Sequence, residues 1–351
     1  MTGLPKSMSA SVLTAPLSLA LEDRPVPTPA ADEVLVQVAS VGVCGSDVHY
    51  YREGRIGDFV VKNPLVLGHE AGGRIVAVGA EVEPSRVGQR ISIEPQRANL
   101  TSSESLSGRY NLDPSVEFFG TPPIDGAFAE YVTIQSHFAH DVPDSISDDA
   151  AALMEPLSVG IASARKAVLT VGERVLITGA GPVGLILAQV ARAHGAAEVI
   201  VTDLDPGRRE QALALGATDA IDPRENDITT LGVDAFLEAS GAVTAIQAGI
   251  RALRPSGSAV LVGMGPEELA LPLPLIQNRE LVVTGVFRYA NTWPTAISLV
   301  ERGVVNLDGL VTGHYGLDQV REALESTTSP GTLKSMVTPG VQREHNSTKP
   351  I

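Results

Sequence analysis

The stretch that most restricts the fold of this chain is Arg174-Val-Leu-Ile-Thr178 running into Gly179-Ala-Gly-Pro-Val-Gly184. A short apolar run ending at a glycine turn reads as a buried strand, and Val183 to His194 continues as an apolar helix stopped by Gly195. Glu198-Val-Ile-Val-Thr202 reads as the next strand and runs into Asp203, 19 residues after Gly184. Strand, glycine turn, helix, strand and acid in this register predict a dinucleotide site. Gly179 permits the tight turn, Gly181 lets the backbone approach a pyrophosphate, and Gly184 lets helix and strand pack closely. The helix N-terminus faces the phosphates, and Asp203 is placed to bind ribose hydroxyls. An acid there repels a 2′-phosphate, so NAD is expected over NADP, with Arg208 as a local cation to lie against adenine or ribose.

Alternation continues downstream. Pro206 to Leu215 reads as a helix stopped by Gly216, and Val243 to Leu253 as another. Ala235-Phe-Leu-Glu238, Ala259-Val-Leu-Val262 and Leu281-Val-Val-Thr284 read as strands, so this half predicts a parallel, doubly wound sheet. Residues from about 8 to 150 differ. Glu33-Val-Leu-Val-Gln-Val38, Gly73-Arg-Ile-Val-Ala-Val78, Arg90-Ile-Ser-Ile93 and Phe128-Ala-Glu-Tyr-Val132 are strand-like and punctuated by proline and glycine, which predicts an irregular β region. Arg97 to Ser115 is polar and reads as an exposed lobe. Ala150 to Arg165 has helix-forming composition interrupted at Pro156. Two helical stretches, Pro294 to Arg302 and Leu317 to Ser326, precede a polar tail from Val341.

The chain holds one cysteine in 351 residues, so an intramolecular disulfide is excluded. Cys44 lies in Gly42-Val-Cys-Gly-Ser-Asp-Val-His-Tyr-Tyr51, bracketed by glycines, and Gly68-His69-Glu70 follows. Thiolate, imidazole and carboxylate are zinc ligands, so the stretch reads as one corner of a metal site. A lone cysteine and no apolar signal-like segment near the N-terminus make a reducing cytoplasm the expected compartment. A net charge of −15 argues against nucleic acid or an anionic membrane as partner.

Cys44-Gly-Ser-Asp-Val-His49, Gly68-His-Glu70, Met154-Glu-Pro-Leu-Ser-Val-Gly160, the Gly179–Gly184 motif and Gly285-Val-Phe-Arg-Tyr289 together resemble the zinc-dependent medium-chain dehydrogenases, in their sorbitol (polyol) dehydrogenase branch. The resemblance implies an α/β protein with a GroES-like β-rich catalytic domain, residues 1–155 and 289–351. A Rossmann domain that binds NAD is inserted at 156–288. Alcohol dehydrogenases of this superfamily bind catalytic zinc with two cysteines and a histidine, a shell this chain cannot build. Glu70, beside His69, is the best placed replacement, and Glu155 resembles the residue that completes the site directly or through a water. A second, four-cysteine zinc would map onto Arg97 to Asp113, where no cysteine occurs, so one zinc per chain is expected.

The implied reaction is reversible oxidation of a secondary alcohol in a polyol to a ketose, with Ser46 and His49 as the proton relay. Tyr50, Phe118, Thr121, Glu155, Arg288 and Tyr289 resemble substrate-pocket positions. Val262, Gly263, Met264, Val286 and Phe287 resemble the residues along the nicotinamide. Two rivals are a zinc-free quinone or enoyl reductase and a non-catalytic NAD-binding protein. Cys44, Glu70 and Asp203 speak against the first, and the intact ligand set against the second. The resemblance also implies a homotetramer or homodimer, with an edge strand near Leu281 to Phe287 pairing across a two-fold axis.

Overall fold

A computed structural model describes residues 3–340; the polar tail expected from Val341 lies outside them. The chain divides into two compact units, Met1–Arg97 with Glu117–Val142 and Thr312–Ile351, and Ala98–Val116 with Pro143–Val311. The expected limits of 156–288 take in the nucleotide sheet, whose regular strands run from Arg174 to Gly285.

The first unit is built on a seven-stranded sheet around the long strand Glu33–Gly42. Glu70–Val78 runs antiparallel along one side of it, with Gly42 opposite Glu70. On the other side Tyr131–Gln135 pairs with its first half and Lys334–Val337 with its last residues. The chain therefore returns to this sheet after leaving the nucleotide half. Inward residues such as Val34, Val36, Val38, Val41 and Ile75 are almost fully buried. Burial of each such side chain contributes roughly 1.5–3 kcal/mol. The strand expected at Phe128 begins later, at Tyr131, because the Phe128 backbone is taken up elsewhere, donating to Leu67 O and accepting from Ser11 N.

The second unit holds six parallel strands in the order Asp219–Ile221, Glu198–Thr202, Arg174–Thr178, Val233–Glu238, Leu253–Leu261, Val282–Gly285. The strand order reverses between Arg174–Thr178 and Val233–Glu238, and the crevice at such a reversal is where doubly wound sheets take ligands. The helix Val243–Ala252 lies so close to the sheet that a Cβ on Gly249 would stand 2.2 Å from the Phe236 ring. Pro156 does not interrupt a helix. The break falls at Leu153, between Asp148–Ala152 and Met154–Ala167, and Pro156 sits in the first turn of the latter, where no backbone donor is missed.

The polar lobe also belongs to this unit and has internal structure, a short helix Ser103–Leu106 and a 3-10 turn Tyr110–Leu112. The buried Asp113 knots it, with Oδ2 accepting from Asn99 N at 2.6 Å and Oδ1 from Ser115 N at 3.0 Å. Burial opposes its charge, but these hydrogen bonds outweigh that and hold the carboxyl below its usual range.

Candidate active site

Glu33–Gly42 delivers Cys44 to the head of the helix Gly45–Glu53, where the cysteine is the N-cap residue. Three positions on, the buried Asp47 carboxylate turns back. Its Oδ2 accepts from Cys44 N at 2.9 Å, and its Oδ1 accepts from Gly68 N at 3.0 Å. Oδ1 also lies 3.5 Å from His69 Nδ1. One side chain thus ties the cysteine corner to the Gly68-His69-Glu70 corner. Gly68 has φ +91°, and Gly126 approaches so closely that a Cβ there would be 2.2 Å from Gly68 O.

The ligand atoms of Cys44, His69 and Glu70 lie within 4.8 Å of one another, a group of three that could share one ion. Sulfur, imidazole nitrogen and carboxylate oxygen fit zinc by chemistry as well as by position. Burial disfavours charge on His69, but Asp47 and Cys44 outweigh it and hold the imidazole well above its ordinary range in the metal-free chain. Glu70 is 1% exposed and does not stand alone. Lys334 Nζ donates to both its oxygens, each at 2.8 Å, and to Val43 O at 3.0 Å. The strand Lys334–Val337, by pairing with Val41 and Gly42, carries this cation to the site.

Asp47 and Lys334 are the two site residues that sequence reasoning missed. Asp47 had a signal, its place three residues after the cysteine at a helix start. Lys334 had none, being 264 residues from its partner.

Other expected residues of this unit gather nearby to different degrees. The Phe118 ring lies 5.6 Å from the His69 ring, and Thr121 follows in the same turn, its N–H donating to Phe118 O. Ser46 and His49 are half-buried and one turn apart on Gly45–Glu53, and His49 Nδ1 stands 3.5 Å from Glu53 Oε1. Tyr50 on the same helix is buried.

In the second unit, Gly179 has φ +89° and its carbonyl lies where a Cβ on Gly184 would be, at 1.8 Å. Gly181 caps the helix Pro182–Ala193, with Val183 in its first turn, and a Cβ there would meet nothing within 4 Å. Open space before a helix N-terminus suits a pyrophosphate. Asp203 accepts from Ala180 N at 2.8 Å through one oxygen and from Asp205 N at 2.9 Å through the other. The acid thus shapes the glycine turn as well as standing at the strand end. Arg208, half-buried, opens the next helix, Pro206–Ala214.

Val262, Gly263 and Met264 follow the fifth strand and Val286 and Phe287 the sixth. Arg288, at φ +54°, lays its guanidinium 4.7 Å from the centre of the Phe287 ring. Tyr289 is 1% exposed and packs edge-on against Trp293. The lobe holds this segment: Asn111 Nδ2 donates to Phe287 O at 2.7 Å, and Asn291 N to Tyr110 Oη at 2.7 Å. Glu155 is buried in the first turn of Met154–Ala167.

A dinucleotide crevice in one unit and a zinc donor set in the other define a metal-dependent dehydrogenase. Residues 182–302 match the zinc-binding dehydrogenase family and residues 30–144 the alcohol dehydrogenase GroES-like domain. The sorbitol dehydrogenase of Bacillus subtilis is 43% identical, covering 92% of this chain and 94% of its own. That of Bos taurus is 43% identical, covering 95% and 96%. The solved structure of L-idonate 5-dehydrogenase from Escherichia coli superposes with a TM-score of 0.89 at 27% identity, over 95% of this chain and 98% of its own. The chain belongs to the zinc-dependent medium-chain dehydrogenases, in their sorbitol dehydrogenase branch.

Proposed function

We propose that this protein reversibly oxidises a secondary hydroxyl of a polyol to a ketose, using zinc and NAD. The observation that carries the reading is the Cys44–His69–Glu70 group, a one-thiolate donor set in a chain with no second cysteine. Zinc held there would supply Lewis-acid polarisation of the reacting hydroxyl, and bound NAD would supply the hydride acceptor. Cys44, His69 and Glu70 hold the metal, and Asp47 and Lys334 orient two of them. Glu155 keeps the role the family resemblance gives it, as a ligand or through a water.

The chain's own groups then handle the proton. Ser46 Oγ passes it to His49, whose Nδ1 faces Glu53, leaving Nε2 to accept. Glu53 is largely exposed, so the relay ends at solvent. Tyr50, Phe118, Thr121, Arg288 and Tyr289 are the proposed substrate residues. The Phe118 ring beside His69 offers an apolar wall to the carbon chain, and the Arg288 guanidinium offers donors to hydroxyls. Gly179, Gly181, Val183 and Gly184 take the pyrophosphate, Asp203 and Arg208 the adenosine end, and Val262 to Met264 with Val286 and Phe287 the nicotinamide end.

The reading takes one zinc per chain, supported by the lack of any cysteine between Arg97 and Asp113, a lobe tied instead by hydrogen bonds to Asp113. Among the described residues the strand Val282–Gly285 pairs only with Leu253–Leu261 and leaves Val282 exposed, which supports self-association along that edge. A cytoplasmic setting suits the reduced Cys44 thiol; among the described residues no helix is long and apolar enough to cross a membrane.

The test is NADH formation with a panel of four- to six-carbon polyols, before chelation, after it, and after zinc is returned, with metal content measured throughout. Turnover that disappears and returns with about one zinc per chain supports the reading. Activity indifferent to the metal, or none with any polyol, overturns it.

A further inference from the structure

The central strand Val233–Glu238 ends in a carboxylate that is 0% exposed. Glu238 pairs in register with Thr178 across the reversal of strand order, at the floor of the nucleotide crevice. Its Oε1 accepts four hydrogen bonds, from Ser240 N and Ser240 Oγ at 2.6 Å each, from Gly241 N at 2.8 Å and, longer, from Thr178 Oγ1 at 3.5 Å. Its main-chain oxygen accepts from Val262 N at 2.9 Å and Gly263 N at 3.0 Å. Two loops are therefore fastened to a single residue, 239–242 by its side chain and 262–265 by its backbone.

The loops also touch each other with no room for side chains. A Cβ on Gly241 would lie 2.1 Å from Met264 O, and one on Gly263 would lie 2.4 Å from Gly241 N and 2.7 Å from Glu238 Oε2. That second carboxylate oxygen has no hydrogen-bond partner among the described residues. A buried carboxylate with one bare oxygen is a costly choice if its only task is to fill space. The donors converging on Oε1 from Ser240 and Gly241 supply a reason to keep it.

We infer that Glu238 is a positioning residue for the dinucleotide: its carboxylate locks loops 239–242 and 262–265 into one ledge for the nicotinamide end. Nothing in the family resemblance or the comparisons assigns this residue a role. The inference rests on the reading of Val262 to Met264 as cofactor contacts. The acceptor at Oε1 carries the effect, and Oε2 is fixed only by its fit against Gly263. A shorter or apolar residue at 238 would leave Ser240 and Gly241 without their acceptor and free the ledge to move.

The test compares Glu238→Ala, Glu238→Gln and Gly263→Ala by NADH fluorescence titration, with zinc content and KM for NAD and polyol measured alongside. Gln keeps an acceptor oxygen where Oε1 stands, so it is expected to bind NADH within about threefold of wild type. Ala is expected to weaken NADH by about tenfold or more, raising KM for NAD while zinc content and KM for polyol stay put. Gly263→Ala pushes a methyl at Oε2 and Gly241 and is expected to weaken NADH likewise.

Wild-type affinity in Glu238→Ala, or equal loss in Ala and Gln, overturns the inference. If Glu238→Ala does not fold, Gly263→Ala and Ser240→Ala decide: unchanged NADH binding in both overturns it, and weakened binding with zinc retained supports it. Failure of the wild-type protein to bind NADH would instead overturn the nucleotide reading itself.

Discussion

Replacing Lys334 by methionine removes the ammonium paired with Glu70 while keeping most of the buried stem. Both groups are almost fully inside, Lys334 at 3% and Glu70 at 1% exposure, and the ammonium donates to both carboxylate oxygens and to Val43 O. Without it, the buried carboxylate loses the ammonium that hydrogen-bonds both its oxygens. In the metal-free chain the imidazole of His69, within 4.8 Å, is left as its nearby cationic neighbour. Breaking such a pair from one side costs about 3–5 kcal/mol, because the desolvated partner stays behind. For a unit of this size each kcal/mol lowers Tm by about 2–4 °C, so the metal-free variant is expected to melt about 10 °C below wild type.

Zinc changes the sign of the local field and supplies Glu70 with a new partner, so the zinc-loaded variant is expected to recover most of that loss. Glu70→Gln in the Lys334→Met background should also restore part of the metal-free stability, since it removes the stranded charge. The assay is thermal unfolding of chelated and zinc-loaded protein for wild type, both single variants and the double variant. Equal Tm losses with and without zinc, or a double variant as unstable as the sum of the singles, would refute the reasoning.

Further outcomes follow from the same geometry. In the metal-free chain the raised His69 pKa means folding takes up a proton. Its stabilisation is full below the ordinary histidine pKa of about 6.5 and is lost as pH rises through the folded-state value. His69→Gln should therefore lower the metal-free Tm more at mildly acidic than at alkaline pH, and zinc affinity should rise with pH as the proton is displaced. Gly181→Ala should leave Tm near wild type, because its Cβ meets nothing, yet weaken NADH by about tenfold. Gly184→Ala should unfold the nucleotide unit or move its first helix, because its Cβ lands 1.8 Å from Gly179 O. Asp203→Ser should lower the ratio of kcat/KM for NAD over NADP by about tenfold or more, which paired assays with the two cofactors would read.

The parts of this account legible in the sequence were local or came from residue types that rarely coincide. Gly179 to Gly184 declared itself because each glycine answers a backbone need within a few residues, and Asp203 because its strand is short and its spacing regular. Cys44, His69 and Glu70 were legible as a donor set, since a thiolate, an imidazole and a carboxylate beside glycine turns match the ligand types of zinc. Lys334 was not legible, because its role depends on a strand returning across 264 residues to pair with Gly42. Glu238 looked like the polar end of an apolar run, and only the folded loops show why a carboxylate sits there. Pro156 misled because a proline in a helical sequence reads as a break until the N-terminus is located at Leu153. The lobe read as exposed polar chain, although Asp113 gives it a knot and Tyr110 and Asn111 bind it to the Phe287 segment.

The most direct test of the central claim is X-ray absorption at the zinc edge of the loaded protein. One sulfur scatterer at about 2.3 Å with nitrogen and oxygen neighbours near 2.0–2.2 Å is the predicted shell, and Cys44→Ser should remove the sulfur. Zinc surrounded by nitrogen and oxygen alone in the wild-type protein would place the metal elsewhere and contradict the account.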